Sequence, residues 1–582
     1  MHKPVTDKHR ASGIDLRSVL HCCLPVVLSV LALAAASTVA GAEITADATP
    51  PPAQLLALFR EWRAFAAPSF AAGVADYSSA IMTRKSADSR VLRDRLDKLD
   101  TTGWSKSARA DVALVRAEMN GLDFNLRVLE PWARDPGFYA TVYPFHSDVP
   151  AHEGQSAEPT IDLFAFRYPL SVADQRVLTR QLLSVPPLLA AARQNLAGGN
   201  AHDLWVYGVW RLRTQANALA ALEKGTLELR TRSGRETGSL AGAGPALRRA
   251  VRNAREASAS FAAWVETQAA TKTGPSGVGK DAYTWYMHNV ALSPFSWEEE
   301  VALLWRELER SNSALAFEAL RNRGLPQLQP VDSAEQFTAL QKRRFDKLVR
   351  FLIDKGITEN EPYVATALEA QMLPYVPADK RNFFDKATHR DPMGIFVHDY
   401  HWLELERAGH FESADPIRRE IPLYNIWDQR CEGLATALEE QLTNAGLYDD
   451  NPRGRELMWM MLANRAARGL AALYAQANIF TLAQAGAFQA KWTPRGWAAA
   501  TGELASLEQS LYLRQPGYGA SYIVGKALIE RLLCEYTAQQ LAAGKQSDPG
   551  ALFRWMGREG YLPITLLEQE LIETPERPAQ EH

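Results

Sequence analysis

Cysteine is scarce in this chain. Four occur in 582 residues, two of them (Cys22 and Cys23) inside an N-terminal leader, and no Cys-x-x-Cys pair exists. That excludes a disulfide scaffold and a thiolate metal or redox centre. Cys431 and Cys534 remain, as one bridge in an oxidising compartment or as two free thiols. An excess of one charge is missing too. Lys and Arg number 64 against 67 Asp and Glu, a formal net charge of -3. Without a basic stripe, no nucleic-acid partner is expected. Long apolar runs are absent after the leader, and the leader's own run, 24–36, is shorter than the ~20 residues that cross a bilayer. Convincing alternation of β-branched residues is absent, and so is any internal repeat.

What is present is helical periodicity. The chain is 47% hydrophobic and 23% charged, enough for a large core. A basic segment, an apolar run and Ala40-Gly41-Ala42 before Glu43 read as an export signal over 1–42, with an uncleaved anchor as the alternative. Residues 43–53, rich in Ala, Thr and Pro, read as a flexible lead. From Gln54 on, apolar residues recur at three and four, as in QLLALFREWRAFAA and VADQRVLTRQLL. The expectation is an all-α protein of two lobes around a central cleft. The N-terminal helical lobe takes 54–273, the C-terminal helical lobe 274–573, and 574–582 is a polar tail. Residues 131–160, with Pro, Gly, Tyr and Phe, read as a long irregular loop. Helices resume at Ala201 and run to Thr271, with a glycine-rich pause at 239–244.

Residues 274–280 fit Gly-x-x-x-x-Gly-Lys, a phosphate loop. Asp281 follows where Ser or Thr is needed, and the preceding segment is helical, so nucleotide binding is rejected. The stretch reads instead as a Gly/Pro hinge between the lobes. Ser296 with Glu299 forms a capping box for the next helix.

The chemistry concentrates at 389–440. A helix over 396–408 carries His398, Asp399, His401 and Glu404. A second over 426–445 carries Glu432, Glu439 and Glu440, with Gly446 placed for a C-terminal cap. Histidines at i and i+3 share a helical face. With a carboxylate from an antiparallel neighbour they make a zinc site of two imidazoles, one carboxylate and an open position. The His-Glu-x-x-His form is absent: the spacing is one residue shorter, and Asp399 stands where the Glu would be.

Over about 274–571 the chain resembles a bacterial family known as domain of unknown function 885. The likeness rests, in order, on GPSGVGKDAYTWYMHNV, EGLATALEEQLTNAGLYDD, NRAARGL, YLRQPGYGASYIVGK and GYLPITLLEQEL. The resemblance implies an all-helical zinc metallopeptidase of the gluzincin type. The family's Glu-Gly-Trp-Ala-x-x-x-Glu is matched by Glu432, Gly433, Ala435 and Glu439, with Leu434 in the Trp place. Its His-Glu-x-x-Pro-Gly-His-His-Leu-Gln is matched only by Asp399-Tyr400-His401-Trp402-Leu403-Glu404. The implied ligands are His398, His401 and Glu432, with Glu439 beside them. The general-base Glu has no clear counterpart.

Asp399 or Glu404 is the candidate base for water at the metal. Tyr518 and Tyr522, at a loop-to-helix junction, are candidates to steady a developing oxyanion, with Lys526 near them. Arg465 and Arg468 read as carboxylate binders or as salt-bridged helix residues. The expected activity is zinc-dependent hydrolysis of peptides by an exported protein, in periplasm or medium, with no membrane contact after signal cleavage. Its alternative is an inactive helical binding protein on the same scaffold, taking peptides or small molecules.

Overall fold

The three-and-four spacing of apolar residues is realised as helices throughout a computed structural model that describes residues 44, 50–153 and 157–572. The expected export signal at 1–42, most of the expected lead at 43–53 and the tail at 574–582 lie outside the described residues. Seven long helices precede residue 274: α1 Ala53–Ala66, α2 Ser79–Asp97, α3 Lys106–Phe124, α4 Val172–Leu183, α5 Val185–Asn195, α6 His202–Lys224 and α7 Pro245–Ala269. After it come α8 Lys280–Asn289, α9 Trp297–Arg321, α10 Ala334–Asp354, α11 Pro362–Glu369, α12 Met393–His398, α13 Tyr400–His410 and α14 Asp428–Asn444. The chain then forms α15 Pro452–Gln476, α16 Leu482–Trp492, α17 Glu503–Arg514, α18 Tyr518–Ala542, α19 Pro549–Arg558 and α20 Ile564–Leu571. The expectation of an all-α protein holds. None of the described helices is long and apolar enough to cross a membrane.

Strands are short and paired locally. β1 (Phe70–Ala71) pairs antiparallel with β2 (Val74–Ala75), and β3 (Val142–Tyr143) lies parallel to β4 (Ile161–Asp162). The hairpin of β5 (Leu227–Thr231) and β6 (Gly234–Gly238) corrects the reading of 201–271 as helices with one glycine-rich pause. Its signal was the alternation Leu227-Glu228-Leu229-Arg230, in which the two leucines are buried, built from Leu where β-branched residues were sought. Gly234, at φ +118°, supplies a backbone conformation that L side chains rarely adopt.

The segment 274–280, read as a hinge, is tied to its neighbours by backbone hydrogen bonds. Gly274 N donates to Asn200 O at 2.8 Å, and Gly279 N to Gln476 O at 2.8 Å. Gly277 N donates to Asn478 Oδ1 at 2.8 Å. A Cβ on Gly277 would collide with the Gln476 carbonyl, so only glycine lets this loop lie on the end of α15. The capping box of Ser296 and Glu299 forms as read. The described residues from Ile44 onward belong to one compact unit.

Helices α9, α14, α15 and α18 pack on one another to form the bundle that carries the site. Fifteen residues of α14 are buried, so its charged side chains must be met inside the protein. Where α14 crosses α18, Gly433 faces Gly525. A Cβ on either would run into backbone of the other helix. This glycine-on-glycine crossing brings Glu432 within reach of the first turn of α18.

Candidate metal centre

The single helix predicted over 396–408 is broken. Asp399, at φ -62° and ψ 1°, separates α12 from α13. The break is a tight turn in which Trp402 N donates to Asp399 O at 2.9 Å. His398 closes one helix and His401 sits in the first turn of the next. Their rings lie 4.9 Å apart between centroids, at 88° to each other. Edge-on rings let both imidazoles aim a nitrogen at the same oxygen of α14. His401 Nε2 is 3.2 Å and His398 Nε2 is 3.4 Å from Glu432 Oε2. The three donor atoms lie within 4.8 Å of one another. Ligands ~2.0–2.1 Å from a tetrahedral zinc stand roughly 3.3 Å apart, so both measured edges fit one ion.

The next layer of contacts orients these groups. Glu439, two turns along α14 from Glu432, places Oε1 3.0 Å from His398 Nδ1. The two atoms are close without hydrogen-bond alignment, and neither has another hydrogen-bond partner. Arg465 of α15 holds the other Glu439 oxygen at 2.6 Å. Tyr518 donates to Glu432 Oε1 at 2.5 Å, which leaves Oε2 to the imidazoles. Tyr522 stacks on His398 at 6.0 Å, and the Arg468 guanidinium covers the Tyr522 ring at 4.1 Å.

Electrostatics follow from burial. Burial opposes ionisation of Glu432, yet His401 and His398 outweigh it and hold the carboxyl well below its usual range. Burial likewise opposes charging His401, and Glu432 reverses the sign, so that imidazole is raised. Burial and the Glu432 charge push the Tyr518 phenol well above its usual value, so it stays a donor. Burial and nearby Asp148 push the Asp399 carboxyl up to about 7. Its Oδ2 is buried and has no hydrogen-bond partner.

The structure thus brings together His398, His401, Glu432, Glu439, Tyr518 and Tyr522, with Asp399 at the turn between the histidines. It does not bring Glu404 to them as a free base. Both Glu404 oxygens are taken by guanidinium groups, one by Arg407 and the other by Arg430 at 2.6 Å. Lys526 faces away from the cluster's needs as well: it is bound among Glu530 at 2.7 Å, Glu440 at 3.0 Å and Glu307 at 3.8 Å. Arg465 and Arg468 are ion-paired, to Glu439 and Glu508. Cys431 and Cys534 are both free.

Sequence reasoning missed the cover. Val149, from the segment read as plain loop, is 1% exposed and packs with Trp427, Tyr512, Tyr518 and Tyr522. The charge of Asp148, in the same segment, raises the Asp399 carboxyl and the His401 imidazole, and Glu153 feels the charge of Glu432. No periodicity marks these residues; the two acids among prolines and aromatics were the one available hint.

No family model matches the chain, and no curated protein matches it. Solved structures do. One, from Shewanella oneidensis and described as "a putative lipoprotein of unknown function", aligns with TM-score 0.60 at 13% identity, covering 89% of this chain and 98% of that one. A second, described as a "putative lipoprotein" from Colwellia psychrerythraea, aligns with TM-score 0.54 at 14% identity over 89% and 96%. At these identities the likeness is one of fold, and it runs nearly the whole length of both relatives.

Proposed function

We propose that this chain is an exported zinc-dependent hydrolase of peptides, an all-helical gluzincin-like protein akin to domain of unknown function 885. The observation that carries this reading is the pair of donor separations, 3.2 and 3.4 Å, that two imidazoles make with one carboxylate oxygen. Without metal, His401 and Glu432 meet as a hydrogen bond at 3.2 Å; the same spacing accommodates one zinc, and a carboxylate–histidine contact behind one ligand is usual for zinc. Zinc held there would polarise water and a scissile carbonyl. The protein's own groups do the rest. Tyr518 fixes Glu432 through one oxygen. Glu439 faces His398 Nδ1 at 3.0 Å, and Arg465 holds Glu439. Asp399 offers a buried carboxyl oxygen without a hydrogen-bond partner at the turn between the histidines and is the residue we assign to take a proton from water. Export is supported by the leader and by the lipoprotein description of both structural relatives.

One observation favours the alternative, an inactive binding protein on this scaffold. The expected second base, Glu404, is consumed by two arginines, which leaves Asp399 alone in that role. The deciding experiment is metal content and peptide hydrolysis of purified protein. The hydrolase reading expects one zinc per chain, lost in Glu432→Ala, and turnover lost in Asp399→Asn with zinc retained. Zinc without turnover selects the binding reading. Absence of zinc together with absence of turnover also selects the binding reading, in its metal-free form.

A further inference from the structure

Helix α9 is packed at its start and largely uncovered at its end. Its buried stripe is Trp297, Glu300, Leu304, Glu307, Leu308 and Ser311, and beyond Ser311 only Glu318 is buried. Phe317 and Leu320 stand on the side turned away from that stripe, three residues apart and so next to each other on the helix. Phe317 is 70% exposed, and no large apolar side chain among the described residues is more so. Leu320 is 53% exposed. Leu325 follows at 45%, in a turn where its N–H donates to Asn322 O at 2.8 Å. A single exposed leucine needs no account. Three large apolar groups at one helix end mark a surface that something covers.

The charges beside them have one sign. Arg321 and Arg323 are exposed and make no ion pair among the described residues. The one acid within 311–331 is Glu318, which is turned inward and paired with Arg455 of α15 at 2.9 Å. Arg453 of α15 also comes up to this end and donates to the carbonyls of Asn322 and Leu325 at 2.7 and 2.6 Å. A second copy of the chain is a poor cover. A two-fold contact through this patch sets the patch against itself, and Arg321 and Arg323 would then face their own copies. An apolar wedge rimmed by free arginines fits instead a surface that is negative outside and apolar beneath.

We infer that the end of α9 docks on an anionic lipid surface. Phe317, Leu320 and Leu325 enter the boundary between headgroups and acyl chains, and Arg321 and Arg323 meet the lipid phosphates. The inference departs from the expectation of no membrane contact, and it stands whether or not the hydrolase reading does. Docking is peripheral and reversible, because so small an apolar wedge falls far short of a spanning helix. It also fixes the candidate site relative to the lipid. Arg310 of α9 binds Glu440 of α14 at 2.7 Å, and α14 carries Glu432.

The test is co-sedimentation of the full chain with vesicles of phosphatidylglycerol and phosphatidylcholine in equal parts, and with phosphatidylcholine alone. Phe317→Ser combined with Leu320→Ser should weaken binding to the anionic vesicles roughly tenfold or more. Arg321→Gln and Arg323→Gln should each weaken it about fivefold, the worth of one arginine at such a surface. All four side chains are exposed, so the variants keep the parent's circular dichroism. Vesicle binding by the apolar run at 24–36 is common to every variant, and hydrogen exchange supplies a local reading: amides in 323–329 should slow when anionic vesicles are added. Variants that bind as the parent does overturn the inference, as do amides that exchange at one rate with and without vesicles. Equal binding to the two kinds of vesicle overturns it too, since the arginines then add nothing. So does a parent that self-associates in sedimentation velocity while Phe317→Ser stays monomeric, for the patch then belongs to a second copy.

Discussion

An imidazole turns freely about its side-chain bonds, so a ring that must keep one nitrogen on a fixed point needs a partner at the other. His398 has that partner in Glu439, 3.0 Å from Nδ1. Arg465 anchors the carboxylate from behind at 2.6 Å. Glu439→Gln keeps the shape and loses the charge. Zinc affinity, measured by chelator competition on folded protein, should fall roughly tenfold to a hundredfold. Unchanged affinity would mean that Glu439 serves only Arg465. Both glutamates were legible, because Glu432 and Glu439 recur two helical turns apart in one motif. The histidines were legible by type and spacing, though not by the reason they meet, which is the turn at Asp399 rather than one continuous helical face. Glu404 was misread since i+3 spacing says nothing of the guanidinium groups waiting on α13 and α14. Asp148, Val149 and Glu153 were illegible, as side chains of an aperiodic segment take their direction from tertiary contacts alone.

Most helices outside the central bundle were easy to read because they bury a stripe, whereas α14 and α15 are buried on nearly every side. Their mutual distance was harder to read, and it decides whether Tyr518 reaches Glu432. The crossing of α14 on α18 has no side chain between the backbones at Gly433 and Gly525. Gly433→Ala must push the helices apart, with a loss of ~1–3 kcal/mol typical of overpacking. It should also weaken zinc binding, since Tyr518 retreats with α18. Gly409→Ala in the last turn of α13 is the matched control. A Cβ there meets nothing within 4 Å, so a gain of about 0.5–1 kcal/mol is expected from helix propensity. Urea midpoints of the two variants should move in opposite directions. A Gly433→Ala protein as stable as the parent would show that the crossing has slack. The hairpin β5–β6 and the contacts of the loop at 274–280 escaped the sequence for a related reason. Each is defined by what it lies against, and glycine announces freedom without saying what uses it.

At the scale of the molecule, the segment that leads into α14 is clamped by the early helix α3. Arg418 is the centre of that clamp. It donates to Asp111 of α3 at 2.9 Å and to Glu559 at 2.6 Å, and it binds Glu570 of α20. Its side chain is 2% exposed. Nearby, Glu118 of α3 accepts from Leu423 N at 3.1 Å. Residues some three hundred positions apart thus set where α14 begins, and with it the height of Glu432. No local pattern could have announced this, because Arg418 reads as one of two arginines on a short turn. Arg418→Met removes the cation and leaves three buried carboxyl groups facing one another. Breaking such a buried network costs ~3–5 kcal/mol. The contrasting case is Arg95, which pairs with Glu61 while both are about half exposed; Arg95→Met should leave stability nearly unchanged. Because the clamp joins α3, α14's approach and α20, the Arg418 variant should lose α20 and the proposed zinc site in one transition. Hydrogen exchange of α20 amides and zinc release followed along the same urea series should then coincide, whereas α20 opening well before zinc leaves would show that the clamp holds the C-terminal helix without holding the site.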